Sequence, residues 1–291
     1  MNTVRLNTVA LDGVIVKGGT SGGGGNTGGG AGGGTTPSRP KWTGHADVEG
    51  LRAIGWDDED IAYYQANGVN WNEEEDQYHK VSEDNKALYG VLTANNIQDY
   101  KNRIVYLPKI DTSGKTSMSN LFKGCVFMVA IPVIDTTNVT TMECAFQNCY
   151  SLYCLPPLDF ANVTSFYYTF HCCHQLKYIC LLANENKLFT FSNAFGYCYS
   201  LEKIEMPSVA SVSYGPRFDD CYGLVHAKIG GLTSNPFVYS HCISKSSIIY
   251  MIENASKNIK ISLSPPAYSR LANDADIVAA LAAHPNISIS Q

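Results

Sequence analysis

The sequence predicts an α/β fold in which short repeats stack into a solenoid. The main observation is a Phe-x-x-Cys pair that recurs five times, with successive Phe residues 24, 24, 25 and 23 positions apart. We number as repeats 1 to 5 the pairs Phe122/Cys125, Phe146/Cys149, Phe170/Cys173, Phe195/Cys198 and Phe218/Cys221. A unit this short cannot bury its apolar face alone, so the phasing predicts one core shared by stacked neighbours.

Each repeat combines the two periodicities of an α/β unit. Another large apolar residue stands four positions before each Phe, the spacing of neighbours on one helical face. These residues are Met118, Met142, Phe166, Phe191 and Tyr214. The positions after each Cys alternate as in a short strand. A period of about 20–29 residues with one strand and one helical turn is typical of leucine-rich repeats. We therefore expect a leucine-rich-repeat solenoid of about five to six repeats over residues 104–245.

The details of these repeats resemble a known family. The Phe-x-x-Cys pairs, the Asn-Val-Thr triplets at Asn138 and Asn162, and the Leu-Pro or Ile-Pro steps are similar to BspA-type leucine-rich repeats. Such repeats occur in surface proteins of anaerobic bacteria and protists, and in fibre proteins of phages that infect Bacteroides, including crAss-like phages. The resemblance spans residues 104–245. It implies a phage virion protein, either a head or tail fibre or a capsid decoration.

The first forty residues predict an anchor and a tether. Residues 4–17 are rich in aliphatic and β-branched residues, and Asp12-Gly13 is typical of a hairpin turn. A lone hairpin is marginal in water. We therefore expect residues 1–17 to be ordered by docking on a capsid or tail protein or on copies of themselves. Residues 18–40 are dominated by glycine, which predicts a flexible linker.

The segment before the repeats, residues 41–103, predicts an acidic helical module that caps the first repeat. One helix is expected to begin after an N-cap at Asp47 and to end at Gly55. A second is expected to begin after Asp57 and to end at Gly68.

The segment after the repeats, residues 246–291, predicts an α/β cap for the last repeat. Its apolar pattern predicts helices over residues 246–254 and 274–283 and strands over residues 259–263 and 287–289. A break is expected at Pro265-Pro266.

Charge and composition narrow the classes of partner. The 21 Lys and Arg against 26 Asp and Glu give a net charge of −5, which offers no basic footprint for nucleic acid. We find no apolar run long enough to cross a bilayer and no secretion-signal pattern in the first twenty residues. This favours assembly in a reducing cytoplasm, where the ten cysteines would act as small buried hydrophobes rather than as disulfides.

Two clusters imitate catalytic or ligand-binding motifs. His171-Cys-Cys-His174 contains zinc-ligand residue types, but Cys173 is a phased core position and no second ligand pair lies at zinc-finger spacing. Ser113-Gly-Lys-Thr116 ends like a phosphate-binding loop but lacks its first glycine, since Lys109 stands there. We therefore expect no catalytic residue, no cofactor and no metal. A cysteine and histidine hydrolase is the less favoured alternative.

The outward strand positions of the repeats form a candidate binding surface. In the expected strands, alternate positions point outward and form columns across the repeats. One column contains Cys154, Tyr178, Lys203 and His226, and the next contains Cys180, Glu205 and Lys228. Exposed Tyr, Lys and His are typical of protein or glycan recognition, so the candidate ligand-binding residues are Tyr178, Lys203, Glu205, His226 and Lys228.

The sequence and the resemblance together predict a non-enzymatic virion protein that binds a host-surface protein or glycan. We expect it to be located in the virion and to form a homo-oligomer. The alternative is a bacterial cell-surface adhesin of the BspA type.

Overall fold

The computed structural model describes residues 48–66, 81–156, 158–181, 188–206, 211–214 and 216–291. The chain divides into two units, residues 1–40 and 41–291, and every described residue belongs to the second. The predicted anchor and linker lie outside the described residues, as do the expected helix ends at Asp47 and Gly68.

Within the described residues that precede the repeats, the helices are α1 (Val48–Ala53), α2 (Asp58–Ala66), α3 (Glu83–Lys86) and α4 (Ile97–Tyr100). Gly55 has a φ of +87° just after α1, the left-handed conformation that glycine adopts at no steric cost. Asp57 caps α2, because its Oδ1 accepts a hydrogen bond from the amide of Asp60 at 2.9 Å. The predicted boundaries at Gly55 and Asp57 are confirmed.

The strands are short and pair in parallel. They are β1 (Tyr178–Cys180), β2 (Leu188–Thr190), β3 (Lys203–Met206), β4 (Ser211–Tyr214), β5 (Arg217–Phe218), β6 (His226–Ile229), β7 (Phe237–Val238), β8 (Ile259–Leu263) and β9 (Ile287–Ser290). They form sheets in the orders β1-β3-β6, β2-β4 and β5-β7-β8-β9. Isolated parallel bridges such as Tyr106 to Ala130 and Cys154 to Tyr178 extend the pairing to the earlier repeats. Neighbours in the sheets β1-β3-β6 and β2-β4 thus belong to successive repeats, while the third sheet extends into the C-terminal segment.

A stack of phenylalanine rings runs through the core. The five repeat phenylalanines are fully buried, and the ring centroids of successive repeats lie 5.0, 5.7, 5.7 and 5.3 Å apart. The apolar residues three and six positions after each Cys are also buried, as at Leu152 and Ile179. The predicted inward positions are therefore confirmed as a continuous core.

The predicted helical turn of each repeat is wrong. No described residue between α4 and Ser244 is helical. Two consecutive β-turns occupy these positions, as in repeat 1, where Met118 and Phe122 each accept a hydrogen bond from the amide three residues later at 2.9 and 3.0 Å. The third residue of the first turn, Asn120, has a φ of +61°, which a right-handed helix excludes. Two four-residue turns give the same apolar spacing as one helical face.

The turns are bonded between repeats rather than along a helix. The amides of Phe122 and Gly124 donate to the carbonyls of Ala145 and Gln147 in the next repeat, at 2.9 and 2.8 Å. Side chains extend this ladder, since Asn162 Nδ2 donates to the carbonyl of Thr137 at 2.7 Å. The Asn-Val-Thr triplets therefore join neighbouring repeats through asparagine, while Val139 lies buried between them.

The repeat cysteines form a second ladder. Each repeat cysteine from the second repeat onward places its Sγ 3.0–3.2 Å from the carbonyl oxygen of the preceding repeat's phenylalanine, as Cys149 does to Phe122. Burial raises the pKa of the Cys149 and Cys173 thiols, so they remain protonated and can donate. All ten cysteines are free thiols. The buried repeat cysteines are thus small core residues that also donate hydrogen bonds.

Polar side chains close both ends of the row of repeat strands that runs from Tyr106 to β6. At the first end, the buried Asn85 accepts from the amides of Val105 and Tyr106 at 2.9 and 3.1 Å and donates to the carbonyl of Tyr106 at 2.9 Å. At the other end, Ser247 accepts from the amide of Ala227 at 2.9 Å. Edge groups that would template another strand are therefore occupied here.

The C-terminal segment continues the core with helices and strands. Its helices are α5 (Lys245–Glu253), α6 (Pro265–Leu271) and α7 (Ala275–Ala283); β8 lies between α5 and α6, and β9 follows α7. Asp274 caps α7 by accepting from the amides of Asp276 and Ile277. The predicted break at Pro265-Pro266 is wrong, because proline fits the first turn of a helix and both prolines start α6.

Candidate functional site

The outward columns predicted from the repeats have the expected register. Tyr178 pairs with Lys203, and Lys203 pairs with His226. In the next column Cys180 pairs with Glu205, and Glu205 pairs with Lys228. The intervening Ile179, Ile204 and Ala227 are buried. The structure thus brings all five candidate ligand-binding residues onto three adjacent strands. We call their shared surface, across repeats 3 to 5, the open half of the strand face.

Glu205 organises the charges of this surface. Lys203 Nζ lies 3.0 Å from Glu205 Oε1, and Lys228 Nζ lies 4.0 Å from the same oxygen. Tyr178 donates its hydroxyl to Glu205 Oε2 at 3.5 Å, and Lys203 Nζ stands 5.2 Å from the Tyr178 ring centroid. Two cations thus surround one carboxylate that is 12% exposed. The open half presents a charge-paired surface rather than a field of one sign.

Tyrosines from two helices border the open half. Burial raises the pKa of Tyr178, and the nearby Cys180 and Glu205 raise it further. Tyr63 of α2 also contributes to the raised pKa of Tyr178. On the other side, Tyr250 of α5 lies near Glu205, and burial together with this carboxylate raises the pKa of Tyr250. The phenols stay protonated at neutral pH, and their oxygens can accept hydrogen bonds from a ligand.

The first half of the same face is covered. Tyr106, Ala130 and Cys154 occupy the column positions equivalent to Tyr178, yet they are 0, 0 and 2% exposed. They pack in one cluster with residues of α1 and α2 and the loop between them, including Trp56 and Tyr64. We call this region the covered half of the strand face. The helices α1 and α2 therefore lie on the side of the repeats, and Cys154 is a core residue instead of a surface residue.

Hydrogen bonds from α2 and from the loop before it reach three successive levels of the stack. The Tyr64 hydroxyl donates to the carbonyl of Ile131 at 2.8 Å and accepts from the amide of Ile131 at 3.2 Å. Tyr63 donates to the carbonyl of Leu155 at 2.7 Å, and Trp56 Nε1 donates to the carbonyl of Leu107 at 2.8 Å. Each aromatic side chain thus meets a backbone group at the Leu-Pro or Ile-Pro steps.

The buried Asp60 adds an ionic contact to this cover. Its Oδ1 accepts from the amide of Val133 at 2.6 Å, and its Oδ2 lies 2.9 Å from Lys109 Nζ. Lys109 also contacts Asp57 at 3.2 Å, and these partners raise the pKa of Lys109 against the opposing effect of burial. Asp60 and Asp57 therefore bind the repeats through Lys109, whereas Asp58 and Glu59 remain exposed. The actual end cap comes from α3 and α4 and their loop, where Leu88, Leu92 and Ile97 join the repeat core.

A second surface follows the turns and was missed by the sequence reasoning. The residue after each repeat cysteine is aromatic or histidine in repeats 2 to 5: Tyr150, His174, Tyr199 and Tyr222. The His174 ring lies 4.6 Å from the Tyr150 ring and 4.8 Å from the Tyr199 ring, and Tyr222 lies 6.1 Å from Tyr199. This column was readable from the same repeat alignment.

The motif-like clusters lie within the repeats. His171 contacts the rings of Tyr168 and Tyr197 at 4.7 and 5.3 Å, and among the residues that the structure describes no group of three or more metal-ligand side chains converges. Ser113 accepts a hydrogen bond at its carbonyl from Asn138 Nδ2 at 3.2 Å, so its loop stacks on the next repeat. None of the described helices has the length and apolar character needed to span a bilayer.

No model of a known protein family matches the chain, and no curated protein matches it in sequence.

Proposed function

We propose that this chain is a non-enzymatic binding protein whose leucine-rich-repeat solenoid, of BspA type, is displayed on a phage virion and contacts the host surface. The observation that carries the binding role is the open half of the strand face. Three adjacent strands there present Tyr178, Lys203 and His226 in register, while the equivalent column of the earlier repeats is covered by α1 and α2. One continuous strand face is thus divided into a covered half and an open half.

The chemistry of the open half favours a polar ligand with both donors and acceptors. Lys203 and Lys228 compensate Glu205, so the surface has no strong charge of one sign to attract nucleic acid. The phenols of Tyr178 and Tyr250 and the imidazole of exposed His226 add hydrogen-bonding groups with apolar bodies, the residue types that recur in recognition surfaces. A host-surface protein or glycan fits this composition.

Assignment to a virion rests on the sequence. The resemblance to phage fibre proteins, the β-rich residues 1–17 and the glycine-rich residues 18–40 support display of the repeats on a tether. Several tethered copies on one particle would convert weak contacts into avidity. The partners proposed are a capsid or tail protein for the N-terminal segment and further copies of this chain. A bacterial surface adhesin with the same binding face is the alternative.

The test is binding of the fluorescently labelled full-length chain to intact Bacteroides cells, measured by flow cytometry. Replacing Tyr178, Lys203 and His226 together by alanine should reduce the bound fraction at least about tenfold, since each side chain projects from the open half. The control replaces Tyr89, Lys257 and Lys260 by alanine, side chains that are also exposed and lie outside the strand face.

Both variants should keep the melting temperature of the unmodified chain, because each removes only outward side chains. Equal binding by the strand-face variant and the control would eliminate the open half as the binding surface. Absence of binding by the unmodified chain would contradict adhesion and favour a decoration role.

A further inference from the structure

A cleft opens on the turn side of repeats 3 to 5. Its volume is about 470 Å³, within the range of about 300–1,000 Å³ that is typical of small-molecule sites. Tyr168 and His171 of repeat 3 line one side, and Arg217 and Asp219 of repeat 5 line the other. Tyr197 of repeat 4 stands at the cleft with 39% of its surface exposed. The cleft therefore combines aromatic side chains with planar polar groups.

The cleft exists because repeat 4 has small residues where repeat 3 has large ones. Asn193 and Gly196 of repeat 4 occupy the positions that Tyr168 and His171 hold in repeat 3, and both line the cleft. A Cβ atom on Gly196 would lie 3.1 Å from Cδ2 of His171, closer than ordinary van der Waals contact. A side chain at Gly196 would therefore push on His171 and fill the cleft.

Two tyrosines of the cleft adopt a backbone conformation that tyrosine rarely takes. Tyr168 and Tyr197 have φ values of +53° and +61°. The equivalent position to Tyr197 in repeat 2 is Asn148, a residue type that tolerates positive φ. Strain of this kind costs about 1–3 kcal/mol per residue and concentrates at ligand sites. The presence of tyrosine at these two strained turns favours a role of the two rings in contacting a ligand.

The His171 ring does not stack face to face on the tyrosines beside it, although Phe237 and Tyr239 in the same lining stack at 5.8 Å and 23°. The His171 ring is tilted by 40° against Tyr168 and by 73° against Tyr197, whereas the neighbouring Tyr150 and His174 rings stack at 12°. Phe237 and Tyr239 complete the lining beside Arg217. Aromatic faces carry negative charge density, which attracts the weakly positive C–H groups of a saturated ring.

The charged groups of the cleft are largely compensated. Arg217 makes a bidentate pair with Asp219 at 2.9 and 3.0 Å, and its guanidinium also lies 4.8 Å from the Phe237 centroid. Asp220 accepts from the Tyr222 hydroxyl. Burial lowers the pKa of His171, against the opposing effect of Asp219, which favours its neutral form near pH 7. One guanidinium and two carboxylates leave the lining slightly negative, so an anionic ligand is disfavoured.

Two backbone amides of the cleft are already used within the stack and are not available to a peptide strand. The amides of Cys172 and Tyr197 already donate to the carbonyls of Gly196 and Asp219 in the next repeat, at 2.8 and 2.7 Å. Peptides that add a strand need an unpaired edge. The groups that the cleft presents to a ligand are side chains. They are aromatic faces and the planar polar groups of Asn193, Arg217 and Asp219.

We propose that this cleft binds a neutral saccharide, one or two pyranose rings of a longer glycan, with the aromatic side chains against the C–H faces and Asn193 and Asp219 bonded to hydroxyl groups. This site is separate from the open half of the strand face. It goes beyond the host-binding role proposed above, because the cleft would bind sugar whether or not the strand face binds cells.

The experiment is isothermal titration calorimetry and saturation-transfer NMR with the full-length chain. The probes are neutral homo-oligosaccharides of glucose, mannose, galactose and xylose, with oligogalacturonate as an anionic comparison. Two variants import repeat 2 residues into repeat 4: Tyr197→Asn copies Asn148, and Gly196→Gln copies Gln147. One removes an aromatic wall and the other fills the cleft, and each uses a residue that the same turn already accommodates.

At least one neutral oligosaccharide should bind, and each variant should weaken that binding at least tenfold at an unchanged melting temperature. Phe127→Ala is the control, since Phe127 is 55% exposed in repeat 1 and does not line the cleft. The proposal would be overturned if no neutral probe binds, or if oligogalacturonate binds more strongly than every neutral probe. It would also be overturned if both variants bind the neutral probe as strongly as the unmodified chain does. The two proposals fail separately, because cell binding by the strand-face variant tests the host-binding role and oligosaccharide binding by the cleft variants tests the cleft.

Discussion

The covered and open halves of the strand face differ in what lies outside them, although the repeats beneath are the same. In the covered half, Tyr106, Ala130 and Cys154 meet Trp56 and Tyr64 and are removed from water. In the open half, the equivalent positions hold Tyr178, Lys203 and His226. The outward residue of a repeat is therefore set by its outer neighbour, and the inward residues are set by the stack.

The largest expected loss of stability comes from substitutions that test whether one core lies beneath both halves of the strand face. Phe146 lies in a covered repeat and Phe195 in an open one, and both rings are fully buried in the same stack. Substituting either by alanine should lower the free energy of unfolding by about 3–5 kcal/mol. Cys149→Ala, which removes a thiol hydrogen bond and little volume, should cost about 1 kcal/mol. Urea unfolding of the three variants measures these values.

A markedly smaller loss for Phe195→Ala than for Phe146→Ala would show that the two halves do not share a core. A Cys149→Ala loss as large as that of Phe146→Ala would show that the cysteine ladder carries more of the stability than its volume and hydrogen bond explain.

A smaller loss of stability should distinguish the covered half from the open half. Tyr64→Phe leaves the carbonyl and amide of Ile131 without their partner in a buried position, which should cost about 1–3 kcal/mol. Tyr178→Phe removes one long hydrogen bond on a partly exposed surface and should cost less than about 0.5 kcal/mol. Urea unfolding of the two variants gives the comparison. Equal losses would mean that the open half is as tightly covered as the other.

Much of the fold could be predicted because the repeat period fixes the inward positions. Aligning the Phe-x-x-Cys pairs was sufficient to place Ile179, Ile204 and Ala227 inward and Tyr178, Lys203 and His226 in one outward column. The N-cap at Asp57 and the glycine at Gly55 also act locally, so the sequence nearby contains the information.

The remaining features depend on properties that local periodicity does not contain. A spacing of four apolar residues fits both a helix and two successive turns, and only the positive φ values at residues such as Asn120 distinguish them. The docking of α2 depends on pairs as distant in sequence as Tyr63 and Leu155. One hint was available, since Ala130 and Cys154 are small and apolar where later repeats have Lys203 and His226.

The most direct test of the division between the halves uses the protein's own cysteines. Cys154 lies under α1 and α2 with 2% of its surface exposed, Cys180 is half-buried in the open half, and Cys242 is exposed. Alkylation with N-ethylmaleimide, read site by site by mass spectrometry and normalised to the chain in urea, gives a protection factor for each thiol. Cys154 should be as protected as the core Cys149, while Cys180 and Cys242 react in the folded protein. Labelling of Cys154 as readily as Cys180, with Cys149 still protected, would contradict the covered half and the account of the binding surface built on it.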